Sequence, residues 1–269
     1  MVRPPLVTAL FVPADRPERF AKAQSSGADA IIIDLEDAVA PGAKAAARST
    51  LCLPGVLPTG CDVLVRVNGR QTPWYPDDLA AVAQLHVAGV VLPKTDSAED
   101  AAHTSKSIPG TPLIALIETA SGLAAAREIS AVFGVTRLAF GSIDFCVDIG
   151  AAHGRDALLA ARSAIVLASR LGKLEPPLDG VTTSIDDSAL IEEDARYSYR
   201  LGFGGKLCIH PRQIIPVRRG FASSAEEIAW AKRILAAGAE GAIAVDGAMV
   251  DSPVRARARQ ILALDAKNS

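Results

Sequence analysis

The segment Ala30-Ile31-Ile32-Ile33-Asp34-Leu35-Glu36-Asp37 contains the pattern that decides the fold. Four apolar residues follow one another without polar alternation, which is typical of a strand that is buried on both faces of a parallel sheet. Acidic residues follow at once, where such a strand would end. The segment therefore predicts a buried parallel strand that delivers carboxylates to its carboxyl end.

The same kind of short apolar run recurs along the chain, separated by amphipathic stretches. The runs are Leu6–Val12, Ala30–Ile33, Val63–Val67, Gly89–Leu92, Leu113–Ile117, Arg137–Phe140, Leu207–Ile209 and a weaker one at Leu178–Val181. Between them, helices are predicted over Arg16–Ser25, Ala43–Leu51, Ala98–Lys106, Leu123–Ile129, Asp156–Leu171 and Asp187–Leu201. Eight such units indicate a barrel or a doubly wound sheet. Since no strand is followed by a glycine-rich phosphate loop, the usual nucleotide reason for an open sheet is missing, and we expect a (β/α)8 TIM barrel.

The chain continues well beyond the last predicted strand. A helix is expected over Ala225–Ala237, a loop over Gly238–Pro253 and a final helix over Arg255–Leu264. We therefore predict a TIM-barrel catalytic region over residues 1–220 and a C-terminal helical extension over residues 221–269, both parts of the same domain. The extension is long enough to form a lid or to reach a neighbouring subunit.

Composition excludes several classes of function. The net charge is −2, so the basic excess typical of a nucleic-acid-binding protein is missing. The four cysteines are scattered without a C-x-x-C pair, which is typical of free thiols in a reducing cytoplasm: Cys52, Cys61, Cys146 and Cys208. The first apolar run, Leu6–Val12, is too short to span a membrane and lacks a cleavage signal, so we expect a cytoplasmic chain without membrane contact.

Charged side chains follow five consecutive predicted strands. Asp34 and its acidic neighbours end one strand, and Arg66, Lys94, Glu118 and Asp144 stand at the ends of the next four. In a parallel barrel all these ends open on one face, which carries the active site. Because burying unpaired charge is costly, a purely structural core would not gather these groups there. The pattern predicts a catalytic mouth.

Glu118 and Asp144 are expected to lie near each other, because their strands are adjacent. Two carboxylates without histidine or cysteine suit a hard cation, and Mg²⁺ commonly takes one or two protein carboxylates. The alternative is that each carboxylate forms an ion pair with a lysine or arginine of the mouth. The presence of two neighbouring carboxylates favours the metal.

Arg66 and Lys94 are the candidate cationic residues of this mouth. The guanidinium of Arg66 suits an anionic substrate or a developing oxyanion, although neutralising Glu36 or Asp34 is a structural alternative that can coexist with that role. Lys94 is a candidate Schiff-base residue of the class I aldolase type. No desolvating partner is evident in the sequence, so a structural ion pair or a substrate contact is the favoured interpretation.

Several motifs in order resemble one known family. They are Leu10-Phe11-Val12-Pro13, Asp34-Leu35-Glu36-Asp37-Ala38-Val39, Val65-Arg66-Val67-Asn68, Leu92-Pro93-Lys94, Ile117-Glu118-Thr119-Ala120-Ser121-Gly122, Phe140-Gly141-Ser142-Ile143-Asp144, Leu201-Gly202-Phe203-Gly204-Gly205-Lys206, Ile209-His210-Pro211-Arg212-Gln213 and Asp246-Gly247-Ala248-Met249-Val250-Asp251-Ser252-Pro253. Together they resemble the citrate lyase β-subunit-like branch of the HpcH/HpaI aldolase superfamily, which includes malyl- and citramalyl-CoA lyases. The resemblance runs from about Leu6 to Leu264.

The resemblance implies a magnesium-dependent TIM barrel that assembles as a homotrimer or hexamer. By matching motifs, Glu118 and Asp144 are the implied metal ligands, and Glu118 also lies against the substrate. Arg66 is implied to contact the oxo acid, and the group Asp34, Glu36 and Asp37 to order metal-bound water and orient Arg66.

The resemblance also implies roles nearer the thioester. Asp251 matches an acid that reaches a neighbouring subunit and handles the methyl proton of the acetyl group, although an aspartate just before a helix is also a common cap. Arg16, on the first helix, is a candidate contact for CoA phosphates. Lys206 and His210, at a strand end and a helix start, are candidates for the same cofactor, with a helix cap as the alternative for His210.

The resulting prediction is a Mg²⁺-dependent carbon–carbon lyase. It would cleave or form a 3-hydroxyacyl thioester of the citryl, malyl or citramalyl type, with an oxo acid and an acyl-CoA thioester as the small-molecule partners. Two alternatives stay open within enzymes: a citrate lyase β subunit acting on an acyl-carrier-bound citryl group, and thioester hydrolysis after condensation. A non-catalytic barrel that binds CoA or an oxo acid is the alternative of another class.

Overall fold

The computed structural model describes residues 5–237, 243–245 and 248–268. Contacts divide the chain into two compact units, Pro5–Gly220 and a second unit from Phe221 onward. The first unit contains a closed barrel of eight parallel strands. The strands are β1 (Thr8–Pro13), β2 (Ala30–Asp34), β3 (Asp62–Arg66), β4 (Gly89–Leu92), β5 (Leu113–Ile117), β6 (Val135–Phe140), β7 (Glu175–Asp179) and β8 (Gly205–Cys208). The predicted (β/α)8 barrel is therefore confirmed.

The barrel closes between its first and last strands. Leu10 of β1 lies beside Ile31 of β2 on one side and beside Cys208 of β8 on the other. Each remaining strand pairs in parallel with the next one along the chain. Because every strand runs in the same direction, all eight carboxyl ends meet at one rim.

The uninterrupted apolar runs follow from burial on both faces. In β2, Ala30 and Ile32 belong to the cluster that fills the barrel interior. Ile31 and Ile33 alternate with them and are also fully buried. Since successive side chains of a strand point to opposite faces, this second pair faces the surrounding helices.

Helices surround the barrel. They are α1 (Phe20–Gln24), α2 (Lys44–Leu51), α3 (Tyr75–Val82), α4 (Ala98–Ser107), α5 (Ala120–Ala124), α6 (Ala126–Ser130), α7 (Ser142–Ile149), α8 (Arg155–Leu171), α9 (Ser188–Leu201) and α10 (Ile214–Phe221). Single turns of 3₁₀ helix occur at Pro17–Arg19, Pro41–Ala43 and Pro211–Gln213. Short polar side chains start several of the helices: Thr119, for example, accepts a hydrogen bond from the Gly122 amide at 2.9 Å and so begins α5 next to Glu118.

The structure contains helices that the sequence patterns did not predict. These are α3, α7 and α10, and the predicted helix Leu123–Ile129 is divided into α5 and α6. Proline and glycine account for two of the omissions, since α3 carries Pro76 in its first turn and α10 contains Pro216 and Gly220. Proline is tolerated in a first turn, where its missing N–H is not needed. The third, α7, directly follows Gly141 and belongs to the rim.

The second unit has a small core of its own. It contains α11 (Ala225–Ala236), a two-stranded antiparallel sheet of β9 (Ile243–Val245) and β10 (Ala248–Val250), and α12 (Ser252–Asn268). Buried residues of α11, β10 and α12 pack together, among them Ile234, Val250 and Ile261. The loop predicted over Gly238–Pro253 is wrong at β9 and β10. The Asp246-Gly247 dipeptide, a favoured hairpin signal, was present in the sequence, but these two residues lie outside the described part. That the extension acts as a lid and shares one domain with the barrel stays a prediction.

Within the described residues, no helix has both the length and the apolar character needed to cross a membrane.

Candidate active site

A pocket of about 420 Å³ opens at the carboxyl ends of the strands. Its walls come from the ends of seven of the eight strands or from the loops that follow them. The lining residues are Phe11, Asp34, Asp37, Ala38, Arg66, Leu116, Glu118, Phe140, Gly141, Ser142, Ile143, Asp144, Val181, Leu207 and Ile209. Arg66, Glu118, Asp144 and Asp34, which the sequence places at separate strand ends, are thus brought together in one cavity.

Arg66 is held by the aspartate at the end of the neighbouring strand. Its Nε and Nη2 donate to the two carboxylate oxygens of Asp34, each at 2.7 Å. Both side chains are buried. Such a two-point pair fixes the plane of the guanidinium as well as its position. The register of β2 and β3 sets up this pair, because Asp34 and Arg66 lie side by side in the sheet.

Further groups complete the surroundings of Arg66. Its Nη1 lies 2.9 Å from Glu36 Oε2 and 3.6 Å from Asp37 Oδ2, and its guanidinium lies 4.8 Å from the ring centre of Phe11. Burial alone would lower the pKa of Arg66, but the hydrogen bonds and charge of Asp34, with the charges of Glu36 and Asp37, leave that pKa raised. The guanidinium therefore stays charged. With five N–H groups, it keeps donor capacity for a substrate oxygen.

Glu36 links Arg66 to Lys94. The Lys94 ammonium donates to Glu36 Oε1 at 2.6 Å, while the other oxygen of Glu36 faces Arg66. Burial raises the pKa of Glu36, and the charges of Arg66 and Lys94 oppose that rise. The predicted structural ion pair of Lys94 is therefore present in the structure. Glu36 and Lys94 are not among the residues that line the pocket.

Glu118 is a deeply buried carboxylate of the pocket, with 1% of its surface exposed. Oε1 accepts a hydrogen bond from the Lys94 backbone amide at 2.7 Å. Oε2 is buried and has no hydrogen-bond partner among the described residues. Burial raises the pKa of Glu118 to about 8, and the negative charges of Glu36 and Asp144 add to the rise. A buried acceptor without a partner is costly, so this oxygen is suited to a ligand that brings positive charge.

Asp144 lies in the first turn of α7 and also lines the pocket. Asp144 and Glu118 line the same pocket, and the charge of Asp144 raises the pKa of Glu118. No cluster of three or more histidine, cysteine, aspartate or glutamate side chains suited to a metal occurs within the described ranges. Two carboxylates, one with an unpartnered oxygen, fit a hard cation that keeps several non-protein oxygen ligands.

One residue that supports the pocket was not singled out from the sequence. Lys44, at the start of α2, is buried, and its ammonium donates to the carbonyl oxygens of Leu35 and Glu36 at 2.8 and 2.6 Å. These bonds hold the acidic loop after β2 in place. The only sequence signal was a lysine eight positions after Glu36, which is too weak to distinguish it from an ordinary surface lysine.

Lys206 lies away from the pocket. It is 2% exposed, and its ammonium lies 3.3 Å from Asp179, which also accepts hydrogen bonds from Arg162 Nε at 2.9 Å and Ser198 Oγ at 2.5 Å. The neighbouring residue in sequence, Leu207, fills the barrel interior, so Lys206 points to the helix side of the wall. The geometry gives Lys206 a structural ion pair with Asp179, and a cofactor contact of Lys206 stays an untested prediction.

The other two candidate cofactor contacts are at the surface of the barrel unit. His210 Nδ1 accepts a hydrogen bond from the Arg212 amide at 3.2 Å and begins the 3₁₀ turn Pro211–Gln213. The alternative role of His210 as a helix cap is therefore observed. Arg16 is exposed and 4.0 Å from Asp15. A phosphate contact by Arg16 or His210 stays a prediction.

Asp251 belongs to the second unit and precedes α12. Its Oδ1 accepts a hydrogen bond from the Val254 amide at 3.2 Å. Asp251 is thus in position to cap α12, as the structural alternative predicted. This bond uses one of its two carboxylate oxygens, so it does not conflict with a further role.

The fold and the pocket together define a parallel (β/α)8 barrel enzyme architecture with an acidic, arginine-containing site at the carboxyl rim. Comparison with known families identifies it further. The family model HpcH/HpaI aldolase/citrate lyase matches residues 8–211, and the chain belongs to this family. The resemblance deduced from the ordered motifs is therefore confirmed.

Individual relatives cover nearly the whole chain. A citrate lyase subunit beta-like protein of Mycobacterium tuberculosis is 41% identical over 263 residues, covering 94% of this chain and 93% of that protein. A (3S)-malyl-CoA thioesterase of Cereibacter sphaeroides is 35% identical and covers 96% of this chain and 94% of its own. The crystal structure of CitE from Mycobacterium tuberculosis in complex with magnesium, acetoacetate and coenzyme A matches with a TM-score of 0.89 and 37% identity, covering 98% of this chain and 100% of that one.

Proposed function

We propose that this protein is a Mg²⁺-dependent carbon–carbon lyase that cleaves or forms a 3-hydroxyacyl thioester, with an oxo acid and an acyl-CoA thioester as the other reactants. The observation that carries the proposal is the buried Oε2 of Glu118, which no described residue hydrogen-bonds, in a pocket shared with Asp144 and Arg66. The magnesium, acetoacetate and coenzyme A present in the related CitE crystal structure support the same assignment of ligands.

Glu118 and Asp144 are the residues that would hold the cation. When bound, Mg²⁺ supplies Lewis-acid polarisation of the keto group and fixes the position of the oxo acid. The protein provides Glu118 already oriented by the Lys94 amide. The negative charges of the pair match a hard divalent ion.

Arg66 stabilises negative charge on the reacting oxygen. In the cleavage direction, a pocket carboxylate accepts the hydroxyl proton, the carbon–carbon bond breaks, and its electrons pass to the thioester as an enolate. The fixed Arg66 guanidinium donates to the enolate oxygen, where charge is largest near the transition state. Asp34 and Glu36 act on Arg66 as positioning residues, since they set its plane and keep it charged.

Asp251 is assigned to the proton transfer at carbon. We assign it to a neighbouring chain in a trimer or hexamer, where it protonates the enolate carbon. The cap of α12 uses Oδ1 of Asp251, and within the described part of the chain no hydrogen bond to Oδ2 competes with this step. Arg16 and His210 are the proposed contacts for the CoA part of the thioester, and cytoplasm is the proposed location.

Thioester hydrolysis is a second candidate function, favoured by the malyl-CoA thioesterase relative at 35% identity. The two activities differ in their products. Lyase cleavage yields an oxo acid and leaves the acyl group on CoA, whereas hydrolysis releases free CoA thiol.

The direct test uses the purified chain alone. It is incubated with malyl-CoA, citramalyl-CoA and related hydroxyacyl-CoA thioesters, with Mg²⁺ or with EDTA, while oxo acid and free thiol are measured separately. We expect Mg²⁺-dependent release of oxo acid. Release of thiol without oxo acid would favour hydrolysis, and the absence of both from every substrate would leave acyl-carrier substrates or a non-catalytic barrel.

Variants of the metal residues make the test specific. Glu118→Ala and Asp144→Asn should remove turnover, and Asp156→Asn, which changes an exposed carboxylate in the first turn of α8, is the matched control. Full Mg²⁺-dependent turnover by Glu118→Ala would exclude the metal assignment.

A further inference from the structure

We propose that the main chain of Lys94 is a positioning device for the metal site. Its left-handed backbone conformation aims the Lys94 amide at Glu118 Oε1 and so determines that Oε2 is the oxygen left for the cation. The inference rests on the proposed function, because it concerns how Glu118 presents itself to the metal assigned there. It goes further in giving Lys94 a role that is independent of its ammonium group.

The backbone of Lys94 is in an unusual conformation. Its φ angle is 45°, and among the described residues other than glycine only Lys173 shares a positive φ. The left-handed region brings Cβ close to the following carbonyl oxygen and is unfavourable for residues with a side chain. Such strain persists only where the surroundings enforce it, and it is concentrated at functional sites.

The surroundings of Lys94 do enforce it. Before Lys94, the Leu92 carbonyl accepts a hydrogen bond from Thr95 Oγ1 at 2.8 Å. After it, the Thr95 amide donates to the Leu116 carbonyl of the next strand at 3.3 Å. Thr95 is fully buried. The tight turn between β4 and Thr95 therefore has a fixed start and end, and the Lys94 amide points across to Glu118.

The effect on Glu118 is to make its two oxygens different. Oε1 has the Lys94 amide at 2.7 Å and the Lys94 ammonium at 4.0 Å. Oε2 has no hydrogen-bond partner among the described residues, although it is buried. On the other side of the carboxylate, Gly141 packs against Glu118 without a side chain. The amide therefore holds Oε1, and the missing side chain of Gly141 leaves space beside Oε2.

The Lys94 ammonium has a separate task. It donates to Glu36 Oε1 at 2.6 Å, and Glu36 in turn faces Arg66. This side chain is 46% exposed, so water can replace its contact with Glu36. The amide contact with buried Glu118 cannot be replaced in that way. A residue that lacks the ammonium but accepts the left-handed conformation should therefore preserve the metal site.

The experiment compares residues at position 94 that differ in their tolerance of this conformation. Lys94→Gly and Lys94→Asn both accept a positive φ, whereas Lys94→Ala does so poorly and Lys94→Val worst. All four lack the ammonium, so differences among them report on the backbone. The readout is Mg²⁺ affinity by titration calorimetry, repeated with Mn²⁺ by electron paramagnetic resonance, which requires no turnover.

We expect Lys94→Gly and Lys94→Asn to bind Mg²⁺ within about threefold of the native chain, and Lys94→Val to bind it about tenfold more weakly or worse, as for other residues that orient a metal ligand. Lys94→Ala should fall between them. The matched control is Lys173, which is exposed and has a φ of 56°. Lys173→Gly and Lys173→Val should leave Mg²⁺ affinity unchanged.

Equal Mg²⁺ affinities of Lys94→Gly and Lys94→Val would overturn the inference, whether both bind like the native chain or both bind more weakly. If Lys94→Val does not fold, the Mg²⁺ affinities of Lys94→Asn and Lys94→Ala provide the same comparison. The native chain separates this inference from the proposed function: failure of the native chain to bind Mg²⁺ would overturn the metal site itself, whereas native binding with four equal variants would overturn only the role of Lys94.

Discussion

Gly141 packs directly against the carboxylate of Glu118, so that a Cβ atom at position 141 would collide with Glu118 Oε2 and lie 2.5 Å from Glu118 Cβ. A glycine is therefore required beside the metal ligand for reasons of space. Gly141→Ala should displace the Glu118 carboxylate and weaken Mg²⁺ binding by about tenfold or more. Titration calorimetry measures the effect. Gly42→Ala, where a Cβ would meet nothing within 4 Å, is the control, and an unchanged affinity of Gly141→Ala would contradict the prediction.

Binding of Mg²⁺ should release a proton from Glu118. Its pKa of about 8 in the metal-free protein means that the carboxyl is mostly protonated at pH 7. A cation binds the ionised form, so about one proton should leave per Mg²⁺ bound at pH 7, and affinity should rise with pH until about pH 8. Calorimetry in buffers of different ionisation enthalpy counts the protons. If Mg²⁺ binding to the native chain released no proton, the raised pKa of Glu118 would be contradicted.

The same shift predicts how the stability of the metal-free protein depends on pH. The folded pKa of Glu118 lies above the ordinary value of 4.5, so the folded state binds this proton more tightly than the unfolded state does. The resulting stabilisation is complete below about pH 4.5 and is lost as pH rises through about pH 8. Glu118→Gln should remove this pH-dependent part of the free energy of unfolding. Urea unfolding of both proteins in EDTA, from about pH 5 to about pH 9, measures the difference.

Two substitutions of Arg66 should distinguish its effect on catalysis from its effect on stability. Arg66→Lys keeps the charge among Asp34, Glu36 and Asp37 but loses the two-point contact, so we expect kcat to fall by about 10²–10³ with a small loss of stability. Arg66→Ala leaves buried carboxylates without their counter-ion and should cost about 3–5 kcal/mol in the free energy of unfolding. Steady-state kinetics and urea unfolding test the two halves. Near-native kcat for Arg66→Lys would exclude the oxyanion role.

Asp251 allows its two proposed tasks to be distinguished. Asp251→Asn retains a side-chain oxygen that can accept from the Val254 amide but cannot transfer a proton, so turnover should be lost while stability is kept. Asp251→Ala removes the cap as well and should lower the free energy of unfolding by about 1 kcal/mol. Turnover and thermal unfolding are the measurements. Native turnover in Asp251→Asn would exclude the proton-transfer role.

The buried ion pairs of Asp179 with Arg162 and Lys206 should serve stability and not substrate binding. Asp179→Asn leaves Lys206 and Arg162 buried with less negative charge, and we expect a loss of about 3 kcal/mol in the free energy of unfolding. Lys206→Met should lower stability and leave the KM for an acyl-CoA substrate unchanged in the folded protein. A raised KM with native stability would restore Lys206 as a cofactor contact.

The barrel could be predicted from sequence because its signal is repeated. Residues such as Ile31-Ile32-Ile33 must be apolar on both faces, and this requirement recurs at each strand. Helices α3, α7 and α10 lack an equally clear signal. In α10, Pro216 and Gly220 weigh against a helix in any local pattern, whereas Pro76 lies in the first turn of α3, where proline is tolerated. Their formation depends on packing against the barrel, which a local pattern does not contain.

The sequence predicted which residues form the site but not all of the contacts between them. Strand ends alone place Arg66, Glu118 and Asp144 at one rim. The sequence did not show that the amide of Lys94 donates a hydrogen bond to Glu118, because backbone conformation there depends on the turn after β4. It also could not distinguish Lys206 from the pocket residues. Lys206 stands near a strand end too, and the alternation of one residue decides on which side of the wall it lies.

The balance of charge around Arg66 predicts the order in which the reactants bind. Five carboxylates, Asp34, Glu36, Asp37, Glu118 and Asp144, share the rim with three cations, Arg66, Lys94 and Lys44, so the rim carries two negative charges in excess once Glu118 is ionised. A divalent ion cancels that excess, whereas an oxo acid that reaches the rim first is repelled. Initial-rate kinetics should accordingly follow a compulsory order, with the cation entering before the acid.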